Sequence, residues 1–289
     1  MRAEKATDDT VSIAGMCRVL AVSRSGYYDW LARVEGQPPE RARQNRQLVT
    51  EIKKVHGDFR YYGSPRVHQE LLARGCRVGR HKVARLMREH AIRARRGKIK
   101  SRPRAAPPAR RPEVVDLVQR DFKAASPNTL WFTDLTMIRT SQGWLYAAVV
   151  LDAFNREVVS YAVADRETPL TAMTALDQAV RGRRPPRGCI IHSDRGYQFT
   201  SHDWLGRSRK AGLVASIGAR KSALDNAAME SWFASFKNEE LYPGGQPATR
   251  AEARQRLFGY VWTYNNRRRH SSLGYATPRG YAAESSTCP

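Results

Sequence analysis

The sequence predicts an α/β protein in which a mixed five-stranded sheet, flanked by helices, is preceded by all-α helix-turn-helix modules. Apolar residues recur at helical spacing up to about residue 96. From residue 129 onward, five runs of apolar, β-branched and aromatic residues alternate with turns and with helical segments. A chain of 289 residues is long enough for two or three domains.

Two short helices are predicted between residues 10 and 32. The first has an apolar face that includes Met16 and Val19, and Ser23 can cap the second, which carries Tyr27 and Trp30. The small residues that join them suit a helix-turn-helix. An ordinary helical hairpin explains this segment equally well.

A second, longer helical module is predicted for residues 43 to 96, with a capped turn at Tyr62-Gly63-Ser64-Pro65. Its last helix follows Gly79. The residues expected on the buried side of that helix are Val83, Leu86, Met87 and His90, and those expected to face outward are Lys82, Arg85 and Arg88. A recognition helix in a DNA major groove requires this pattern. A charged, solvated face is the alternative.

Positive charge is concentrated in the first part of the chain. The net charge is +23, and residues 1–112 hold 27 Lys and Arg against 10 Asp and Glu. This concentration favours a polyanion such as nucleic acid, because each neutralised phosphate releases counterions. Residues 97–112 combine proline with Lys98, Lys100, Arg102 and further Arg, so we expect an extended linker that follows phosphates.

Membrane association and secretion are not predicted. No basic segment carries the broad apolar face of a membrane-surface helix, no apolar run approaches 18 residues, and no signal peptide is evident. We therefore expect a cytoplasmic, nucleoid-associated protein. The four cysteines are scattered without a C-x-x-C pair, so neither a zinc module nor a disulfide framework is predicted.

The second half of the chain begins with a predicted antiparallel meander of three strands, at residues 129–138, 144–153 and 157–164. After it, helices and strands alternate. Helices are expected at about 170–180, 202–211 and 226–241, and strands at 189–193 and 213–217.

Three acidic residues in separate segments are the strongest functional signal. Asp134 interrupts an apolar strand, where a carboxylate is costly unless it is paired or binds a metal. Asp194 ends the fourth strand, at the sheet edge where ligands gather. Glu230 follows Asp194 after 35 intervening residues, on a helix that places Lys237 on the same face two turns later.

This group predicts a metal-dependent phosphoryl-transfer site. Three carboxylates repel one another, whereas divalent cations make the ionised cluster favourable. Mg²⁺ prefers such hard oxygen ligands, and two ions can assist both the attacking and the leaving oxygen. For any single acid, a cap, a turn or a surface charge is the simpler explanation, and it is the combination that indicates a site.

Several segments resemble one family, and the resemblance covers nearly the whole chain. The chain looks like the second-frame (OrfB) transposases of the third insertion-sequence family of bacteria, within the DDE transposase and retroviral integrase superfamily. The similar segments are Trp131-Phe132-Thr133-Asp134-Leu135-Thr136, the run from His192 to Phe199, Asp225-Asn226-x3-Glu230 continuing to Phe236-Lys237, the tail from Tyr264 to Pro278, and Tyr62-Gly63-x2-Arg66-Val67.

The resemblance implies an RNase H-like catalytic core that cleaves DNA at insertion-sequence ends and transfers the strand, with Mg²⁺ or Mn²⁺. By this likeness, Asp134, Asp194 and Glu230 hold the metals, and Lys237 positions terminal DNA. His192 and Asn226 match nearby motif positions. His192 is either catalytic or a packed strand residue, and Asn226 is expected to cap the catalytic helix.

The tail offers a second candidate DNA contact. Three arginines, Arg267, Arg268 and Arg269, precede His270 and are able to clamp DNA. The alternative is a solvated helix end whose Tyr260, Trp262 and Tyr264 pack on the core, and the two interpretations are compatible.

The family likeness also predicts the division of the chain and its partners. The expected segments are 1–40, a helix-turn-helix; 41–96, a second helix-turn-helix; 97–125, a basic linker; 126–245, the catalytic core; and 246–289, a C-terminal helix and basic tail. Expected partners are double-stranded DNA, further copies of the chain and an upstream first-frame product. The alternatives are a DNA-binding regulator with a silent core and a sequence-tolerant nuclease of the same fold.

Overall fold

The computed structural model of the protein describes residues 12–35, 39–95, 114–218 and 226–287. The chain divides into two compact units. The first contains residues up to Phe59 together with Gly63–Arg93, and the second contains Arg60–Tyr62 and the chain from Ala94 onward. The predicted linker residues Lys98, Lys100 and Arg102 lie outside the described residues.

The first unit is helical, as predicted. Its helices are α1 (Ile13–Val19), α2 (Arg24–Glu35), α3 (Glu40–Asp58), α4 (Ser64–Ala73) and α5 (Arg80–Glu89). Ser23 accepts a hydrogen bond from the backbone N–H of Gly26 over 3.0 Å, which satisfies a donor that the first turn of α2 leaves open.

The core of this unit is formed by α3, α4 and α5. Its fully buried members include Ile52, Val55, Val67, Leu71 and Val83. The prediction that His90 shares the buried side of α5 is wrong, since His90 follows the last residue of the helix and is exposed.

The second unit is built on a mixed sheet of five strands. They are β1 (Leu130–Thr140), β2 (Gly143–Asp152), β3 (Val158–Ala164), β4 (Ile190–Ser193) and β5 (Val214–Ile217). Their order is β3-β2-β1-β4-β5, in which β1 to β3 pair antiparallel and β4 pairs parallel with both β1 and β5. The predicted meander is confirmed, and the RNase H-like fold that the resemblance implied is present.

Helices cover both faces of this sheet. They are α6 (Pro169–Arg183), α7 (His202–Lys210), α8 (Ala227–Phe236), α9 (Arg250–Asn266) and α10 (Pro278–Thr287). Between α8 and α9 the helix widens into one π-helical turn at Lys237–Leu241. Within the described part of the chain, no helix is long and apolar enough to cross a membrane.

The alternation of side chains along β1 divides the core into two layers. Phe132 and Ile138 belong to the cluster that includes Trp232 of α8 and Leu257 of α9. Trp131 belongs to the cluster on the opposite face, with residues of α6 and α7. Asp134 has the same parity as Phe132, so it lies on the face that α8 covers.

Candidate active site

Asp134 and Asp194 are brought together by the pairing of two parallel strands. The last partners in the ladder between β1 and β4 are Thr133 and Ser193, the residues immediately before the two acids. The ladder thus places the two carboxylates at the same end of β4. Asp134 is half-buried, and its Oδ1 accepts a hydrogen bond from the N–H of Leu135 over 2.7 Å.

Asp194 is exposed at the carboxyl end of β4, where a tight turn holds it. Its Oδ1 accepts a hydrogen bond from the N–H of Gly196 over 2.8 Å, and Arg195 donates from Nε to the carbonyl of Gly218 over 2.8 Å. A Cβ at position 196 would lie 2.4 Å from Gln198 Nε2 and 2.9 Å from Asp194 Oδ1, so a larger residue there would displace both side chains. Glycine thus leaves the Asp194 carboxylate in this position.

Glu230 and Lys237 come from the helix that packs over β1. Glu230 is exposed in the first turn of α8, and Lys237 is half-buried where α8 passes into the π-helical turn. The fully buried rings of Trp232 and Phe236 anchor the helix to the sheet, and they stack on each other with centroids 5.7 Å apart. This packing fixes the helix against the strand that carries Asp134.

The electrostatics of Asp134 show that the four side chains interact. Burial, together with the charges of Asp194 and then Glu230, raises the pKa of Asp134 well above its ordinary value. The Leu135 N–H and the Lys237 ammonium oppose this rise. Burial raises the pKa of Glu230, and burial lowers the pKa of Lys237 against the opposing effect of Asp134. Asp134 and Glu230 thus disfavour ionisation in the absence of a cation.

The donor set fits a hard divalent metal ion in chemistry and in charge. It consists of carboxylate oxygens, and it carries the mutual repulsion that a cation removes. Among the described residues, however, no group of three or more His, Cys, Asp or Glu side chains is close enough to form a ligand cluster. The acids interact electrostatically without forming a preassembled shell, so metal binding requires their side chains to adjust.

His192 has the packed position that was one of its two interpretations. Its side chain is fully buried on β4, Nδ1 lies 2.9 Å from Ser216 Oγ on β5, and the ring meets Phe132 edge-on at 5.9 Å. These contacts give His192 a structural role, through packing and a hydrogen bond. They support the neighbouring Asp194 by fixing β4 between β1 and β5.

Asn226 does not cap α8 with its side chain, contrary to expectation. Its Nδ2 instead donates a hydrogen bond to the carbonyl of Thr133 on β1 over 3.1 Å. Asn226 is buried, and its Oδ1 accepts no hydrogen bond from any residue that the structure describes. Asn226 therefore joins the start of the Glu230 helix to the residue before Asp134, a role that the sequence pattern did not reveal.

The structure separates the three arginines of the tail. Arg267 is exposed and Arg269 is half-buried, with its Nη1 donating to the carbonyl of Tyr275 over 3.2 Å. Arg268 is only 4% exposed, and it pairs with Glu239 of the π-helical turn at 2.6 Å. The prediction that Arg268 contacts DNA is wrong, because this guanidinium is buried and already paired.

Two further expectations for the tail and the first unit have different outcomes. Tyr260 and Tyr264 pack in the core as predicted, but Trp262 is 52% exposed and does not.

On α5, Arg88 is exposed, and Arg85 forms an ion pair with Glu89 one turn away at 2.7 Å. Lys82 is half-buried. The arrangement is compatible with a solvated face and with DNA contact.

Glu239 is the site-supporting residue that sequence reasoning missed. Its carboxylate accepts hydrogen bonds from Arg268 and from the hydroxyl of Tyr260, the latter over 3.0 Å. The helical spacing of Glu239 gives no sign of this role, since its partners lie 21 and 29 residues away. Their contact depends on how α9 packs against α8.

Comparisons with known proteins agree with this architecture. Residues 124–223 match the family described as integrase core domain, and residues 211–278 match a second family of the same description. Residues 42–100 match an HTH-like domain. These ranges fall on the sheet with its helices and on the helical module from α3 to α5.

Similar proteins come from bacterial insertion elements. The chain is 38% identical to the insertion element IS600 uncharacterized 31 kDa protein of Shigella sonnei, over 92% of the chain and 97% of that protein. It is 36% identical to transposase InsF for insertion sequence IS3A of Escherichia coli (strain K12), over 93% of each chain.

A solved structure of the HTLV-2 integrase catalytic core domain in complex with magnesium has 19% sequence identity and a TM-score of 0.44, covering 55% of this chain and 98% of that one.

Proposed function

The chain belongs to the family of insertion-sequence transposases that includes the InsF proteins of IS3 elements, and we propose that Asp134, Asp194 and Glu230 hold the metal ions for its DNA cleavage and strand transfer. The observation that carries this proposal is the register of β4 against β1, which places Asp134 and Asp194 at the same end of β4, where the charges of Asp194 and Glu230 also raise the pKa of Asp134. Carboxylates that destabilise one another when ionised are poised for a divalent cation.

The metal dependence of the integrase core family leads us to assign two Mg²⁺ ions, with Mn²⁺ as a substitute, when DNA is bound. Such ions supply activation of the attacking oxygen and stabilisation of the leaving 3′ oxygen. The role of the protein is to hold Asp134 rigidly in the sheet while Asp194 and Glu230, both exposed, approach it from a turn and a helix.

Lys237 acts on the DNA beside the carboxylates. It is half-buried, and its ammonium interacts electrostatically with Asp134. A cation in this position attracts the phosphate next to the bond that is cut, and it opposes the repulsion between that phosphate and the acids. Lys237 therefore orients the terminal nucleotide in the proposed mechanism.

Double-stranded DNA is the proposed substrate, both as the ends of the element and as the target. Lys82, Arg85 and Arg88 of α5 contact DNA in the first unit in this proposal. Further contacts come from the linker, with Lys98, Lys100 and Arg102, and from Arg267 and Arg269 of the tail. Each phosphate contact adds to the salt dependence of binding. We also propose a homo-oligomer on DNA in the bacterial cytoplasm at the nucleoid, aided by a first-frame product.

The test is a cleavage and joining assay on DNA that carries the ends of the element, with Mg²⁺ and with the first-frame product added. Asp134→Asn should abolish both reactions while the protein still binds DNA. The matched control is Asp177→Asn, which should remain active. Asp177 is a surface acid that forms an ion pair with Arg207 at 2.6 Å. Undiminished cleavage by the Asp134 variant would contradict the assignment. Joined products, in addition to nicks, distinguish a transposase from a nuclease.

A further inference from the structure

A cleft of about 450 Å³ begins at Lys237 in the second unit. Lys237 lines this cleft and its charge acts on Asp134, and the cleft is also lined by the far end of β1, the strand that carries Asp134. The other walls come from the end of β1, the start of β2, and the segment from Leu241 to Pro247.

The lining of the cleft combines aromatic rings with cations. Trp144 and Tyr242 both line it and are 43% and 48% exposed. The guanidinium carbon of Arg139 lies 5.9 Å from the centroid of the Trp144 ring. Lys237 adds a second cation, and none of the ten lining residues is acidic. Exposed rings next to cations suit a ligand with a flat π-face and a negative charge.

The cleft follows an edge of β1 that its parallel neighbour leaves uncovered. The ladder between β1 and β4 ends at Thr133, whereas β1 remains paired with β2 as far as Thr140. Asp134 and Ile138, which lines the cleft, are separated by about 13 Å along the strand. That distance is roughly the reach of one or two nucleotides. The opening of the cleft is therefore within reach of a DNA strand held at the acids.

Hydrogen bonds fix the rim of the cleft. The N–H of Ser141, in the turn between β1 and β2, donates to the carbonyl of Pro247 over 3.0 Å. Arg250 donates from Nε to the carbonyl of Trp144 over 3.2 Å. These bonds join the hairpin to the segment that follows the π-helical turn, so the cleft is present before any ligand binds.

We propose that this cleft receives an unpaired base of the element end, from a nucleotide within two positions of the phosphate that is cut. A base inside a duplex has no free face, and a ring on the protein compensates for the loss of stacking when the base leaves the helix. Trp144 and Tyr242 supply that surface, while Arg139 and Lys237 attract the phosphates on either side. The inference rests on the proposed function and adds a binding subsite to it.

The experiment combines changes in the protein with changes in the DNA. Cleavage rates are measured for the wild type, Trp144→Ala and Trp144→Phe, on intact end DNA and on substrates with a single abasic nucleotide at each of the two positions on either side of the cut. Trp262→Ala is the matched control, since Trp262 is similarly exposed, at 52%, and lies outside the cleft. Melting temperatures of the variants establish that each is folded.

We expect Trp144→Ala to slow cleavage of intact DNA by about tenfold, and Trp144→Phe to restore most of the rate, because phenylalanine keeps a stacking face. On the substrate that lacks the captured base, the wild type and Trp144→Ala should cleave at equal rates, since the interaction is then absent from both. The Trp262 variant should match the wild type on every substrate.

Two results would overturn the subsite. One is an equal rate for Trp144→Ala and the wild type on intact DNA. The other is a reduced cleavage rate of Trp144→Ala that stays equally reduced on all abasic substrates. If Trp144→Ala then also has a changed oligomeric state, Trp144 contacts protein and not a base. Failure of the proposed function is a separate outcome, because the wild type would then show no Mg²⁺-dependent cleavage of any DNA.

Discussion

Removing one partner of the ion pair between Arg268 and Glu239 should destabilise the second unit strongly, because the other charge is left buried and unpaired. Both side chains are almost completely buried, with 5% and 8% of their surfaces exposed. Arg268 reaches both carboxylate oxygens, at 2.7 Å from Nε and 2.6 Å from Nη2. Burial lowers the pKa of Arg268, but the bonds to Glu239 outweigh it and the pKa is raised, so the guanidinium stays charged.

The perturbation is Arg268→Met, which keeps an unbranched apolar side chain in place of the arginine stem and removes the charge. It leaves Glu239 buried without its cation, a change that costs about 3–5 kcal/mol in the free energy of unfolding. The matched control is Arg207→Met, which breaks an exposed pair with Asp177 at 2.6 Å. An exposed pair of this kind is worth about 0–1 kcal/mol.

Urea unfolding followed by tryptophan fluorescence measures the difference. Five of the six tryptophans lie in the second unit, so the signal reports mainly on that unit. Adding Glu239→Leu to Arg268→Met should recover much of the loss, because it removes the unpaired charge. Equal losses for Arg268→Met and the Arg207 variant would refute the reasoning, since the pair would then behave as solvated.

Three further outcomes are expected. Without metal, the folded state should lose stability as pH rises from the ordinary pKa of an aspartate towards the raised pKa of Asp134, because the folded chain then binds more protons than the unfolded chain. Melting temperatures should show that Asp134→Asn removes this loss and also most of the stabilisation by Mg²⁺. A stabilisation by Mg²⁺ that is unchanged in the variant would contradict the site. Trp232→Ala should lower the free energy of unfolding by about 3–5 kcal/mol, because the ring is fully buried among aromatic neighbours. In the same urea measurement, Trp262→Ala should change it by no more than about 0.5 kcal/mol. Similar losses in the two variants would contradict the argument from burial. Asn226→Ala should cost about 1–3 kcal/mol by removing the donor to the buried carbonyl of Thr133, and it should slow cleavage more than it weakens DNA binding; an unaffected rate would mean that this bond does not position Asp134.

Local sequence patterns predict much of the fold, and the structure contains the elements that they predict. The strands β1, β2 and β3 form where apolar, β-branched residues alternate, and their order as a meander follows from the short turns between them. Asp134 is recognisable in the sequence because a carboxylate is unfavourable within an apolar strand, and Asp194 because it ends such a strand. These signals are carried by a few adjacent residues, so no knowledge of distant contacts is needed.

The prediction failed where a residue's role depends on what packs against it. Arg268 and Arg269 are adjacent in the same basic run, yet only Arg268 is inserted beside Glu239. Trp262 and Tyr264 lie on the same helix, but the ring of Trp262 faces outward. A side chain two positions further along a helix is rotated by about 200°, and which direction is buried is set by the neighbouring elements.

Periodicity, charge and motif are local or additive properties, so the sequence alone predicts a helical basic module, an α/β core and three candidate metal-binding acids. The tertiary structure decided the distances on which the chemistry depends. The register of β4 against β1 sets Asp194 beside Asp134, and the bond from Asn226 to Thr133 ties the Glu230 helix to the same strand. Close packing imposes these relations between residues that are far apart in the chain.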